Sequence, residues 1–210
     1  TQQGSFTLLD TSSKNVQYMR LSDKFTYMEN DKFQAVNLPY KKGADGVPSA
    51  SMYIFLPKRN VLWKQFISEM TGTNWKSWTG QMEQAKLNKR EGTVVLPKFK
   101  LEYEASLNSP LSQLGMGEAF VPVKANFSKM FKPNSNNPPL YIDKVIHKST
   151  LDIDEKGTEA SAITAVVGMP GGPMPQAPIP FIMRLDHPFF VAIVDEKTGV
   201  LLFLGSVVKP

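Results

Sequence analysis

Two apolar runs near the end of the chain constrain the fold most strongly. They are PFFVAIVD, residues 188–195, and VLLFLGSVV, residues 200–208, and the short polar stretch EKTG lies between them. A strand that is apolar at successive positions is buried on both faces, because neighbouring side chains point to opposite sides of a sheet. We therefore expect these runs to form a hairpin in the middle of the hydrophobic core.

Two earlier runs predict a second hairpin. KFQAVNLPY, residues 32–40, and SMYIFLP, residues 51–57, are short apolar or alternating segments that stop at Pro39 and Pro57. The residues between them are rich in Gly, Pro and other turn formers, which favours direct pairing of the two strands.

Helical spacing appears in three places. Val61, Phe66 and Met70 predict a helix in residues 60–70, with Asn60 as its cap, and residues 74–87 predict a second short helix. Residues 109–120 predict a third, with Ser109 as cap and Pro110 in its first turn.

Two longer stretches predict extended strands. Residues 92–107 form one, in which Pro97 indicates a sheet edge or a bulge, and residues 139–154 form the other. The fold class expected from all these elements is α+β, rich in strands.

Composition excludes some kinds of protein. The chain has 210 residues, 41% of them hydrophobic, which fits one domain or two small ones. It has no Cys, so disulfide and thiolate chemistry are excluded. We find no signal peptide and no apolar run of about 18 residues, so no membrane partner is expected. Because the first residue is Thr1, we expect a processed, truncated or re-engineered chain.

Charge and motifs give little support to binding or catalysis. The net charge is +5, and the densest cationic cluster is Lys86, Lys89 and Arg90, for which a solvated surface is a better interpretation than a polyanion site. Nucleophile elbows, phosphate loops, dinucleotide fingerprints and zinc motifs are absent. We expect no enzyme, no cofactor, no metal and no nucleic-acid partner.

The segment DEKGTEASAITAV, residues 154–166, begins with charges and continues with small side chains. In an extended conformation one face carries only small or apolar residues: Thr158, Ala160, Ala162, Thr164 and Val166. Such a segment suits a chain that is exposed in one state and a buried strand in another. The Pro- and Gly-rich stretch that follows it, residues 168–180, offers backbone accessible to a protease.

These motifs together resemble the serpin family. IDEKGTEASAITAV is similar to the serpin reactive-centre hinge, and LDHPFFVAIVDEKTGVLLFLGSVVKP is similar to the serpin C-terminal signature. AVNLPY, MYIFLP, VVLPKFKLEYEASL, LSQLGMGEAF and VIHKSTLDIDEKGTEA occur in serpin order and at serpin spacing. The resemblance implies that residues 1–210 are the C-terminal portion of a single serpin domain, incomplete without its N-terminal portion, with an exposed reactive-centre loop at about 156–180.

The resemblance implies a suicide inhibitor. A protease would cut the loop and form an acyl-enzyme, and the cut loop would then insert into the main sheet and distort the protease. Hinge residues implied by the match are Glu155, Gly157, Thr158, Glu159, Ala160, Ser161 and Ala162. The match also pairs Lys98 with Glu155 where the loop leaves its strand, and it places His147 in the strand beside the insertion slot.

Two ways of counting along the loop place the scissile bond at different positions. Counting from Glu155 places the scissile bond at Gly171–Gly172, whereas counting back from HPFF places it near Ala177. No Lys or Arg lies between Lys156 and Arg184, so elastase-, subtilisin- or chymotrypsin-like targets are expected rather than trypsin-like ones.

Alternatives stay open beside the inhibitor. The main one is a non-inhibitory serpin with a binding, carrier or chaperone role; a Pro-rich interaction module and an enzyme are weaker. The N-terminal remainder of the domain is an expected partner, possibly as a separate chain. We expect an extracellular or secreted protein, in which the NFS pattern at Asn126 is an acceptor for glycosylation.

Overall fold

A computed structural model describes residues 2–41, 46, 48–130, 139–154 and 179–210. Contacts divide the chain into two compact units: residues 1–99 with 153–210, and residues 100–152. The first unit contains an eight-stranded sheet, and the second is built around a two-stranded sheet. The α+β class expected from the sequence is confirmed.

Most of the strands lie in the larger sheet. In the described part of the chain its order is β10-β9-β4-β3-β2-β5-β8, and β1 pairs separately with β2. The strand bounds are β1 Gln2–Thr7, β2 Ser13–Glu29, β3 Phe33–Pro39, β4 Ala50–Pro57, β5 Arg90–Pro97, β8 Phe181–Arg184, β9 Phe189–Asp195 and β10 Leu201–Val207. The long β2 joins the sheet's parts, because it pairs in turn with β1, β5 and β3.

Strand β9 lies at the centre of the core. It pairs with β4 on one edge and with β10 on the other. Phe189 and Val191 are fully buried on one face, and Phe190, Ala192 and Val194 are buried on the other. The expected burial of this run on both faces is therefore confirmed.

Strand β10 differs from the prediction. It pairs with β9 as expected, but it forms an edge of the described sheet, and Leu202 and Leu204 are 60% and 53% exposed. Within the described residues the prediction of a hairpin buried in the middle of the core is not met for this half, because nothing among them covers these side chains.

The hairpin of β3 and β4 is confirmed, with Phe33 opposite Pro57 and Pro39 opposite Ser51. Two helices cover one of its faces: α1, Trp63–Glu69, and α2, Gly72–Ala85. Phe66 of α1 stacks on Trp78 of α2 with centroids 6.2 Å apart. Both side chains belong to one buried cluster with residues of β3, β4 and β9.

The helix starts differ from the predicted ones. Helix α1 begins after Leu62 with no side-chain cap, so Asn60 is not its cap. Helix α2 begins and ends two residues earlier than expected and is capped by Thr71, whose hydroxyl accepts from the Asn74 N–H at 3.3 Å.

The predicted strand over residues 92–107 is broken. Strand β5 ends at Pro97 and β6, Phe99–Ser106, begins two residues later in a different sheet. A proline has no N–H for a sheet ladder, which explains why pairing stops there.

The smaller sheet consists of β6 and β7, Ile146–Ile153, so the predicted strand over 139–154 begins later than expected. Glu104 lies opposite Lys148, with Oε2 and Nζ 2.9 Å apart, and the N–H of Leu107 donates to the carbonyl of Val145 at 2.9 Å. These contacts join the end of β6 to the start of β7, so the two strands run antiparallel.

Between the two strands lies a short, irregular helical segment. Helix α3, Asn108–Leu111, continues into a π-helical turn, Ser112–Met116, and a 3₁₀ turn, Gly117–Phe120. The helix is confirmed, but it begins at Asn108 without a side-chain cap, so the prediction of Ser109 as cap is wrong.

One aromatic side chain of the four-residue strand β8 packs very closely on its neighbours. The strand pairs with β5 in parallel, with Phe181 opposite Gly92. The Phe181 ring stacks on Tyr27 at a centroid distance of 3.7 Å, and a Cβ on Gly92 would lie 2.3 Å from ring atoms of Phe181. The ring therefore fits only because residue 92 has no side chain.

Replacing Gly92 with Ala should displace Phe181 and loosen β8. We expect a loss of about 1–3 kcal/mol, as for an overpacked core. Gly80→Ala is the matched control, because a Cβ there meets nothing within 4 Å and Ala is favoured in the middle of a helix by about 1 kcal/mol. Thermal unfolding of the full-length protein should rank G80A above wild type and G92A below it, and equal midpoints for G92A and wild type would contradict this packing.

Candidate functional site

The candidate site is the segment between β7 and β8, together with the residues that hold its two ends. Its central part, residues 155–178, lies outside the described residues. The hinge residues Glu155, Gly157, Thr158, Glu159, Ala160, Ser161 and Ala162 and the scissile pair Gly171 and Gly172 all fall there and remain predictions. What can be built from the structure is how the segment begins and ends.

The segment begins directly after β7. That strand ends at Ile153, and Asp154 is exposed. Lys98, the expected partner of Glu155, is half-buried between β5 and β6, and its backbone N–H donates to the carbonyl of Gln17 at 2.7 Å. The backbone of Lys98 is therefore fixed, while the Lys98–Glu155 pair stays a prediction because Glu155 is not described.

His147 lies on β7, as the sequence predicts. Its side chain is exposed, and its ring centroid is 6.3 Å from that of Tyr103 on β6. Its expected role beside the insertion slot stays a prediction.

The segment ends at β8, where charges reinforce the packing of Phe181. The guanidinium carbon of Arg90 lies 5.1 Å from the Tyr27 ring centroid and 6.0 Å from that of Phe181, which is cation–π distance. Arg90 Nη2 also donates to the carbonyl of Ile179 at 3.4 Å. Arg90 therefore covers the stacked rings and contacts the last residues before the strand.

Lys86, another member of the cationic cluster, is bound by carboxylates of the same chain. Its Nζ lies 2.7 Å from Glu83 Oε1 and 2.9 Å from Glu196 Oε2. Burial lowers the pKa of the Lys86 ammonium, but its bonds to the two carboxylates outweigh burial and raise the pKa overall. Lys86 and Arg90 therefore do not form one accessible cationic patch with Lys89.

Beyond β8, Asp186 and His187 fix the chain to β4. Asp186 Oδ1 accepts from Arg59 Nη2 at 2.8 Å and lies 2.9 Å from His187 Nδ1. The other ring nitrogen of His187 lies 2.7 Å from the carbonyl of Pro57. We call Phe181, Arg90, Asp186, His187 and Arg59 the distal anchor, because together they hold the chain just after the candidate loop.

The carboxylate of Asp186 is stabilised in its charged form. Burial raises the pKa of Asp186, but the hydrogen bond with His187 and the charge of Arg59 outweigh burial and lower the pKa below its ordinary value of 3.8. The distal anchor is therefore strongest when Asp186 is ionised.

Sequence reasoning missed most of the distal anchor. The sequence does contain one indication of the contact with Phe181: Gly92 is a glycine inside a strand pattern, and such a glycine often marks close approach of another chain segment. Nothing in the spacing of Arg59, Arg90 and Phe181 indicates that they meet, because the sheet topology brings them together.

The described residues contain no group of three or more His, Asp or Glu side chains arranged to hold a metal ion. None of the helices in the described ranges is long and apolar enough to cross a membrane.

Comparison with known proteins identifies the family. The family model for serpins, described as serine protease inhibitors, matches residues 1–210, and the chain belongs to the serpin family. An uncharacterized serpin-like protein from Methanosarcina acetivorans is 34% identical over the whole chain, which covers 45% of that relative. A rice protein named probable non-inhibitory serpin-Z9 is 28% identical, also over the whole chain and 45% of the relative.

A solved structure agrees with this assignment. The crystal structure of tengpin, a thermophilic serpin in its native state, superposes with a TM-score of 0.71 at 31% identity. It is matched over 100% of this chain and 50% of its own. The chain therefore has a partial serpin fold and spans about half the length of the relatives it matches.

The ionisation of Asp186 predicts a pH dependence. Because its pKa is lower in the folded protein than in the unfolded chain, its stabilising contribution is complete above the ordinary value and is lost as pH falls through the lowered value. Asp186→Asn should lower stability by about 2 kcal/mol near pH 7, as for a hydrogen bond to a charged group.

Thermal unfolding of both forms of the full-length protein between pH 7 and pH 3 tests this. The gap between wild type and D186N should be constant down to about pH 5 and close below about pH 4. A gap that stays the same down to pH 3 would show that the charge of Asp186 contributes nothing.

Proposed function

We propose that the full-length protein is a suicide inhibitor of serine proteases, with residues 156–180 as its reactive-centre loop. The family description, serine protease inhibitor, supports inhibition at the level of the family. The observation specific to this chain is the segment from Thr158 to Val166, whose small side chains follow directly on β7. A chain of small residues can enter a sheet beside β7 without clashes.

The asymmetry of the two ends supports the same mechanism. The distal anchor fixes the end of the segment through stacked rings and charge-assisted hydrogen bonds. The beginning continues from β7, whose residues are mostly exposed. After a cut, the beginning of the loop would move with the acylated protease, while the remainder would stay on β8.

The target is proposed to be an elastase-, subtilisin- or chymotrypsin-like protease. No cation lies between Lys156 and Arg184 to satisfy a trypsin-like specificity pocket. The scissile bond is proposed at Gly171–Gly172, with a site near Ala177 as the alternative. Extracellular location is part of the same proposal, since it would bring the inhibitor to such proteases.

A second proposal concerns the remainder of the domain. Apolar side chains of β10 are exposed, and Leu151 is the one buried apolar residue within the described part of residues 100–152. The chain also spans about half the length of its relatives. We propose that the N-terminal remainder of the serpin domain, in the same polypeptide or as a separate chain, covers these surfaces.

The competing function is that of a non-inhibitory serpin, and one rice relative is named as a probable non-inhibitory serpin. Such a protein would be nicked in the loop without trapping the protease. The two functions differ in the fate of the acyl-enzyme and can be separated by one experiment.

Incubation of the full-length protein with pancreatic elastase, subtilisin, chymotrypsin and trypsin tests the proposal. We expect a covalent complex stable in SDS with at least one of the first three and none with trypsin, because the acyl-enzyme is trapped by insertion. Mass spectrometry of the released C-terminal fragment identifies the scissile bond. Nicking without any complex would favour the non-inhibitory alternative.

Thr158→Arg provides the matched variant. A large charged side chain at the hinge would have to be buried on insertion, so the variant should be cut at the same bond but released as product. Complex formation by T158R at the wild-type level would contradict insertion of this segment.

A further inference from the structure

The side chain of Asn108 connects the two strands of the smaller sheet at one end. Its Oδ1 accepts from the N–H of Val145 at 2.8 Å, and its Nδ2 donates to the carbonyl of Asp143 at 2.8 Å. The adjacent N–H of Leu107 donates to the carbonyl of Val145 at 2.9 Å. The Asn108 amide thus satisfies one backbone N–H and one backbone carbonyl just before β7.

The position of Asn108 is itself fixed by its neighbours. It is the first residue of α3, and its backbone carbonyl accepts from the hydroxyl of Ser112 at 2.7 Å. The Ser106 hydroxyl lies 3.4 Å from Asn108 Oδ1. The amide is therefore presented to residues 143–145 by a short helix turn directly after β6.

Other side-chain contacts between the strands are weak by comparison. Lys148 and Glu104 are 71% and 58% exposed, and an ion pair so exposed contributes little. The side chains of Tyr103 and His147 are also exposed, and their ring centroids are 6.3 Å apart. Among the described side chains, Asn108 makes the two-point hydrogen-bonded link.

This link fixes the pairing at one end of β6 and β7, which are also joined by the hydrogen bonds of their two-stranded sheet. At that end Leu107 is bonded to Val145, and Glu104 forms an ion pair with Lys148. A slip by one residue would turn every side chain of β7 to the opposite face. Asn108 opposes such a slip, because both its bonds are to backbone atoms and would be lost together.

We infer that Asn108 is a positioning residue for the inhibitory reaction, which holds β7 in the register that the cut loop must pair with. The inference rests on the proposed function, since only an inserting loop uses β7 as a template. Asn108 touches neither the protease nor the scissile bond. It acts through β7.

The expected effect follows from a competition between two steps. The acyl-enzyme is either trapped by insertion or hydrolysed by water, and the number of inhibitor molecules consumed per protease trapped reports the ratio of the two. If β7 is poorly positioned, insertion slows and hydrolysis does not. The number of inhibitor molecules consumed per protease trapped, which is one when every acyl-enzyme is trapped, should then rise further above one; we call the difference from one the excess stoichiometry.

Three variants of the full-length protein test this. Asn108→Ala removes both bonds, and Asn108→Asp keeps the acceptor for Val145 but loses the donor to Asp143. Ser109→Ala changes the next exposed side chain and is the control. We expect the excess stoichiometry to rise about fivefold for each net hydrogen bond lost, hence more in N108A than in N108D, and to stay unchanged in S109A.

Two further readouts separate positioning from general destabilisation. Hydrogen exchange at the Val145 amide should accelerate in N108A before any protease is added. Phe66→Leu, which should lower thermal stability by leaving space in the buried cluster of the larger unit, should not raise the stoichiometry to the same degree. An unchanged stoichiometry in N108A, or an equal rise in F66L, would overturn the inference.

Failure of the proposed function looks different. If wild-type protein forms no covalent complex with any protease, the proposed inhibitory function is wrong, and Asn108 then has no role in inhibition. The structural part would still be decided, because normal exchange at Val145 in N108A would show that Asn108 does not hold β7.

Discussion

Burial of β9 on both faces is the constraint on which the larger unit depends. Its side chains form one core with α1 and α2 and another with residues such as Phe6 and Ile54 on the opposite face. Strand β4 is fixed on one of its edges and β10 on the other. Because β8, Asp186 and His187 precede β9 by a few residues, the rigid core also determines where the candidate loop ends.

The two ends of the loop are held in different ways, and this difference gives the mechanism a direction. The distal end packs an aromatic ring against a glycine and another ring, and the half-buried carboxylate of Asp186 joins Arg59 and His187. The other end continues β7, whose start is bound to the Asn108 amide. In the proposed mechanism, a cut between these ends would free the part that follows β7 and leave the part on β8 in place.

The sequence predicted elements whose signals are local. The β3–β4 hairpin, helix α2 and the buried strand β9 follow from apolar patterns and prolines. The exposed face of β10 and the true start of α3 depend on which segments meet in space, and no local pattern reports that. Pro97 indicated a sheet edge or a bulge, but not that the chain enters a different sheet after it. The family resemblance rested on whole motifs and was confirmed, whereas Gly92, Asp186 and Asn108 were missed because their partners are distant in sequence.

The proposed mechanism requires residues 156–166 to change from an exposed segment to a buried strand when the loop is cut. Hydrogen exchange of these residues can be measured in the full-length protein before and after cleavage by a protease that is then removed. Insertion should give fast exchange before cleavage and strong protection afterwards, with a higher thermal midpoint for the cleaved protein. Fast exchange in both states, with an unchanged midpoint, would contradict it.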